Sequence, residues 1–157
     1  MAWSASKVFR QYIADSLNRT TAFDLNSDAF KVALYNNSIT PDLDVTAANG
    51  AYNAGQWVNT NEVSQSGQWA AGGVALTSVV VDTSTTAVVM FDAADTASGS
   101  AATLSNVYGC LVYDDTLTTP VADQGVCYNY FGGANSVTAG TLTVVWNSNG
   151  IMRFTVS

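Results

Sequence analysis

The sequence predicts a mainly β protein, an antiparallel β-sandwich or barrel of about 7–8 strands with one N-terminal α-helix. Three observations carry this expectation. Short runs rich in Val, Thr, Tyr and Phe alternate apolar and polar residues with the two-residue period of a half-buried strand. Turn signals follow one another every 8–14 residues or so, too closely for helical crossovers between parallel strands. Only one window, near the N-terminus, repeats apolar residues at helical spacing.

That window runs from Ser4 to Asn18, where Val8, Phe9, Tyr12, Ile13 and Leu17 fall on one helical face. Ser4 or Ser6 is a candidate cap, and Asn18-Arg19-Thr20 a candidate end. The chain then reads as a single β-rich domain over 1–157, with 1–20 as an N-terminal helical arm. In "FKVALYNNSITPD" (30–42), Phe30, Val32 and Leu34 alternate with Lys31, Ala33 and Tyr35, predicting a strand with one buried face. Asn and Pro41 then break it into a loop over 40–55.

"QWVNTNEVS" (56–64) is a candidate strand, and "QSGQWAAGG" (65–73) a polar, glycine-punctuated connection. "VALTSVVVD" (74–82) and "TAVVMFDAA" (86–94) predict a hairpin, and "TASGSAAT" (96–103) a flexible link. "LSNVYGCLVYDD" (104–115) and "GVCYNYFGG" (125–133) predict a second hairpin with a long tip. A tip centred between Thr118 and Thr119 would set Cys110 opposite Cys127, Leu111 opposite Val126 and Val107 opposite Tyr130. The last stretch, 140–157, reads as two strands joined at "NSNG", with Asn149-Gly150 supplying the positive φ angles of a tight turn.

Charged residues make up only 11% of the chain, against roughly 25% in an ordinary soluble domain. Ser, Thr, Asn, Ala and Gly must therefore cover the surface, and neutral groups of this kind are cheap to desolvate against neighbours. The net charge is −7, and four of the five cations, Lys7, Arg10, Arg19 and Lys31, lie in the first 31 residues. An acidic body argues against a nucleic-acid partner, which needs clustered Lys and Arg. The arm could dock on an acidic neighbour, another copy included, or be an ordinary solvated helix. The N-terminus lacks the basic and apolar regions of a secretory signal, which predicts synthesis in the cytoplasm. No apolar run approaches the 20 or so residues that span a bilayer, so no membrane partner is expected.

The chain contains no histidine, which excludes imidazole-dependent triads, dyads and metal sites, and no enzyme activity is expected. Cys110 and Cys127 have no Lys or Arg near them in sequence to activate a thiolate, and a cytoplasmically made pair is expected to stay reduced. Glu62 is the only glutamate, and the aspartates favour turns. Asp114-Asp115 and Asp42-Leu43-Asp44 are the two places where a hard cation is conceivable, but neither has the oxygen spacing of a known loop, so no metal is expected. No glycine-rich phosphate loop is present, and no cofactor is expected. Trp57 and Trp69 each follow a glutamine in polar, glycine-rich surroundings. Either they fold back over the end of the core, or they are exposed as sugar platforms or partner anchors. Trp146 reads as core. Trp3, Phe9, Trp57 and Trp69 form the candidate partner-contact set.

Four segments then carry a resemblance: "FKVALYNNSITPD", "AAGGVALTSVVVD", "VYGCLVYDDTLTTPVADQGVCYNYFGG" and "SVTAGTLTVVWNSNGIMRFTVS". In this order they resemble a family of small tailed-bacteriophage virion structural proteins, over most of the chain from Phe30 onward. The motifs are structural and bring no catalytic signature. The resemblance implies a capsid decoration protein that binds the outer capsid and stabilises it, with the major capsid protein and copies of itself as partners, as a trimer or dimer on the virion. A tail or head-tail connector component is the alternative within that reading. A carbohydrate- or cell-surface-binding β-sandwich module is the alternative outside it.

Overall fold

The computed structural model describes residues 3–156; residues 1, 2 and 157, the ends of the expected arm and of the final strand, lie outside the described residues. Its backbone is dominated by a long hairpin, β7 (Ala102–Asp114) and β8 (Gly125–Gly140), to which β2 (Phe30–Tyr35) adds on the β7 side. β1 (Lys7–Val8) and β3 (Val74–Ala75) close the edges of this five-stranded sheet, in the order β1-β8-β7-β2-β3. A three-stranded sheet, β10-β5-β4, is built from β4 (Val80–Asp82), β5 (Val88–Asp92) and β10 (Met152–Thr155). β6 (Thr96–Ala97) and β9 (Thr143–Val144) form a two-stranded ribbon. Every pairing is antiparallel, so the fold is mainly β, and the longest helix among the described residues is α1 (Arg10–Asn18).

β2 is buried on both faces apart from Lys31, rather than on one face as the alternation predicts. The reason is its position between neighbours with the second sheet packed over it, and Phe30 meets Phe91 of β5 edge-on at 5.2 Å. Full burial of each such side chain stabilises the fold by about 1.5–3 kcal/mol. Glycine is required at position 73, where φ is +82° and a Cβ would lie 2.2 Å from the Val32 carbonyl oxygen.

Several sequence expectations are corrected here. The helix starts at Arg10, not near Ser4, because residues 7–9 are recruited as an edge strand: Lys7 pairs with Tyr128, Val8 with Cys127, and Phe9 N–H donates to Val126 O. Ser6 caps no helix; its hydroxyl accepts from Tyr130 N–H. The expected arm is therefore laid onto its own sheet. The helix does end as expected, at Arg19 in the left-handed conformation. Its inward face is Tyr12 and Asp15, and Leu17 is 80% exposed.

Residues 56–64 are not a strand but a 3-10 turn (Asn59–Asn61) that hands Asn61 O and Val63 N–H to the end of β2. The 74–82 run breaks at Ser78, which has positive φ, into β3 and β4 in different sheets, and 96–103 contributes to β6 and β7 instead of being a free link. The terminal strands do not pair with each other: β9 joins β6 and β10 joins β5, while the "NSNG" turn has positive φ at Gly150 and not at Asn149.

Candidate functional site

The residues expected to contact a partner lie in the interior. Trp3, Phe9, Trp57 and Trp69 are 1%, 2%, 2% and 0% exposed. Three of them converge: the Trp57 ring lies 5.8 Å from Trp3 and 6.0 Å from Phe9, and Tyr128 packs against all three. Trp3 N–H donates to Asn36 O at 2.9 Å, and the Tyr35 hydroxyl donates to Trp57 O at 2.5 Å. Trp69 stands apart, its indole N–H donating to Val32 O at 3.2 Å. A buried indole needs one acceptor, and a backbone carbonyl supplies it for Trp3, from Asn36 just past β2, and for Trp69, from Val32 within β2. The fold-back reading of Trp57 and Trp69 therefore holds, and the anchor reading of all four is corrected: none presents a face to a partner or a sugar.

The thiols are equally enclosed. Cys110 pairs with Asn129, and Cys127 with Val112, so the hairpin register runs two residues from the expected one and the sulfurs are diagonal neighbours. Leu111 opposes Tyr128 and Gly109 opposes Tyr130, with irregularities along the hairpin absorbing the difference. Both cysteines are free, and burial pushes the Cys127 thiol up to about 12 and Cys110 higher still. Thiolate chemistry is suppressed there.

The carboxylates are occupied one by one. Glu62 accepts from Tyr52 OH and Gly72 N–H, both at 2.9 Å, which fixes the 59–73 segment. Asp42 accepts from Asp44 N–H, and Asp44 pairs with Arg10 at 3.2 Å. Asp115 pairs with Lys31 at 2.9 Å, whereas Asp114 turns inward, so the two do not converge on a cation. Asp114 Oδ1 accepts from Thr116 N–H and Leu117 N–H, while Oδ2 is buried without a formal donor, facing the carboxyl of Asp28. Burial, opposed by the two backbone N–H groups and reinforced by Asp28, pushes the Asp114 carboxyl up to about 7. A carboxyl raised in this way favours its protonated form, and among the described residues no three Cys, Asp or Glu form a cluster that could hold an ion.

The outward-facing features are apolar and lie elsewhere. Leu17, Val145, Phe154 and Val156 are 80%, 70%, 41% and 68% exposed. Leu17 and Phe154, with Tyr12, Ile13 and Leu25, wall a cleft of about 410 Å³ between α1 and the small sheet. A separate hollow, of about 150 Å³, lies beside β10 between Ser6–Val8 and Ile151–Arg153. Sequence reasoning missed this surface because Leu17 belongs to the same helical repeat as Tyr12 and Ile13. The available signal was Asp15, whose side chain shares the inward face through Gln124 and Thr20. Among the described residues no helix is long and apolar enough to cross a membrane. The chain matches no family model, no curated protein and no solved structure.

Proposed function

We propose that this chain is a bacteriophage virion structural protein, a capsid decoration protein that binds the outer capsid surface and stiffens it without catalysing a reaction. The observation that carries the reading is the pairing of an ordered antiparallel β body with a neutral surface: between Asp123 and Arg153 the sequence has no charged residue, and these residues include β8, β9 and the exposed Val145. Such a surface loses little free energy on desolvation, so many weak contacts repeated over a lattice add up by multivalency. The resemblance from Phe30 onward supports the same reading, since its four segments include β2, β3, β7 and β8 of the larger sheet and β4 and β10 of the smaller one, wholly or in part.

The contact residues in this proposal are Leu17, Val145, Phe154 and Val156, in place of the buried aromatic set. The sugar-binding alternative loses its platforms with Trp57 and Trp69 inside, and a connector role draws on the same surfaces. Mass spectrometry of purified virions, with copy number taken relative to the major capsid subunit, tests the proposal. Hundreds of copies per particle are expected on a lattice. A handful would move the protein to the tail or connector, and absence from the particle would overturn the reading.

A further inference from the structure

β10 is an edge strand with one neighbour, β5, and two separate hollows border it, which we read as the two ends of one groove. Val156 N–H donates to Ala87 O, so by antiparallel alternation the backbone groups of Arg153 and Thr155 point away from β5. One end of the groove is the apolar cleft under Phe154 and Leu17. The other end is flanked by Lys7 and Arg153, both exposed. The ion pairs among the described residues are Arg10–Asp44 and Lys31–Asp115, so this acidic chain leaves two cations unmatched at one end of an open strand edge.

We propose that this groove accepts an extended segment of a different polypeptide, added antiparallel to β10 as a further strand, with apolar residues in its first half and carboxylates at its end. Strand addition draws affinity from main-chain hydrogen bonds and specificity from what lies beneath alternate side chains. Antiparallel addition puts the leading residues of the incoming strand over the Phe154–Leu17 cleft and the trailing ones beside Lys7 and Arg153. β10 spans four residues, about 14 Å of extended chain, so a segment of six to eight residues or so fills the edge. Charge sets the source. A second copy pairing β10 to β10 would bring Arg153 of one copy toward Arg153 of the other, like charges that repel, whereas a carboxylate-ended segment complements Lys7 and Arg153. The inference concerns the groove and stands whether or not the chain is a virion component.

The test is fluorescence anisotropy on the full chain with a labelled peptide Ser-Leu-Thr-Val-Thr-Val-Asp-Asp, alongside the same peptide ending in Lys-Lys. Saturable binding of the acidic probe is expected, roughly tenfold or more weaker for the lysine probe. Leu17→Lys and Arg153→Glu change exposed side chains, and unchanged melting curves show that both variants are folded. Each should weaken the acidic probe roughly tenfold, and Arg153→Glu should shift preference toward the lysine probe. Absence of saturable binding, or binding indifferent to both substitutions, overturns the proposal. So does a wild-type dimer in sedimentation that Leu17→Lys dissolves, because the occupant is then a second copy.

Discussion

Replacing Asp114 with Asn tests whether a proton, not a cation, holds the base of the β7–β8 hairpin. Asp114 is 0% exposed, and its Oδ2 faces Asp28 from the 24–29 turn, with Tyr12 of α1 and the Lys31–Asp115 ion pair as the other charged or titratable neighbours. The folded carboxyl titrates at about 7, against about 3.9 for an unfolded aspartate. The folded state therefore binds the extra proton. Stability from this group is full below about pH 4, declines by about 1.4 kcal/mol per pH unit at most as pH rises, and is lost above about pH 7. Asn keeps an oxygen for Thr116 N–H and Leu117 N–H and offers Asp28 a permanent donor. Asp114→Asn should thus be more stable than wild type by about 2–4 kcal/mol at pH 8 and nearly equal to it at pH 4. Urea unfolding followed by the fluorescence of buried Trp3, Trp57 and Trp69 at several pH values measures the difference. A difference that does not grow between pH 4 and 8, or that favours wild type at pH 8, refutes the reading that folding favours a protonated Asp114. Asp15 acts with the opposite sign. Burial raises its carboxyl, but hydrogen bonds from Gln124, Thr20 and Gln11 outweigh this and hold it below the usual range, so its contribution is lost only as pH falls through that lowered value.

Trp69→Ala leaves a cavity beneath β2 and an unmatched carbonyl at Val32, and should destabilise the isolated domain by about 3–5 kcal/mol in the same urea assay; a loss under 1 kcal/mol or so would show that the indole is not part of the core. Gly73→Ala forces a Cβ against the Val32 carbonyl at positive φ and should cost on the order of 3 kcal/mol, or prevent folding, as read by circular dichroism. Cys110 and Cys127 should be inert to a thiol reagent in the native protein and should both react once urea unfolds it, counted by absorbance.

The strands that carry the body were legible in the sequence because β-branched runs punctuated by turns have few other uses. β2 follows its run closely, and β5 and β7 lie on the expected runs with ends shifted by one or two residues, whereas β8 starts as expected at Gly125 but continues past Gly133 to Gly140. Which strand pairs with which was not legible, since β9 and β10 are adjacent in sequence and join different sheets. Residues 7–9 illustrate a second limit. Val8 and Phe9 fit a helical stripe and a two-residue ladder equally well, and only the free edge of β8 decides between them. The tryptophans show a third: local polarity around Trp57 and Trp69 reports the backbone's exposure, while a side chain as long as an indole reaches the core from a surface turn. The exposed Leu17–Phe154 surface joins residues far apart in the chain, and no local pattern announces such a meeting.

The docking of the N-terminal segment on β8 also fixes an order of events during synthesis. Ser6 receives its hydrogen bond from Tyr130, 124 positions later, and Lys7 and Val8 find their partners at Tyr128 and Cys127. Residues 6–8 thus wait for about 120 later residues to be made before they meet these partners, and Val8 and Phe9 lack their β8 contacts meanwhile. The contact of residues 6–9 with β8 is therefore completed only after β8 is made, and until then this apolar segment is one that a chaperone would have reason to hold.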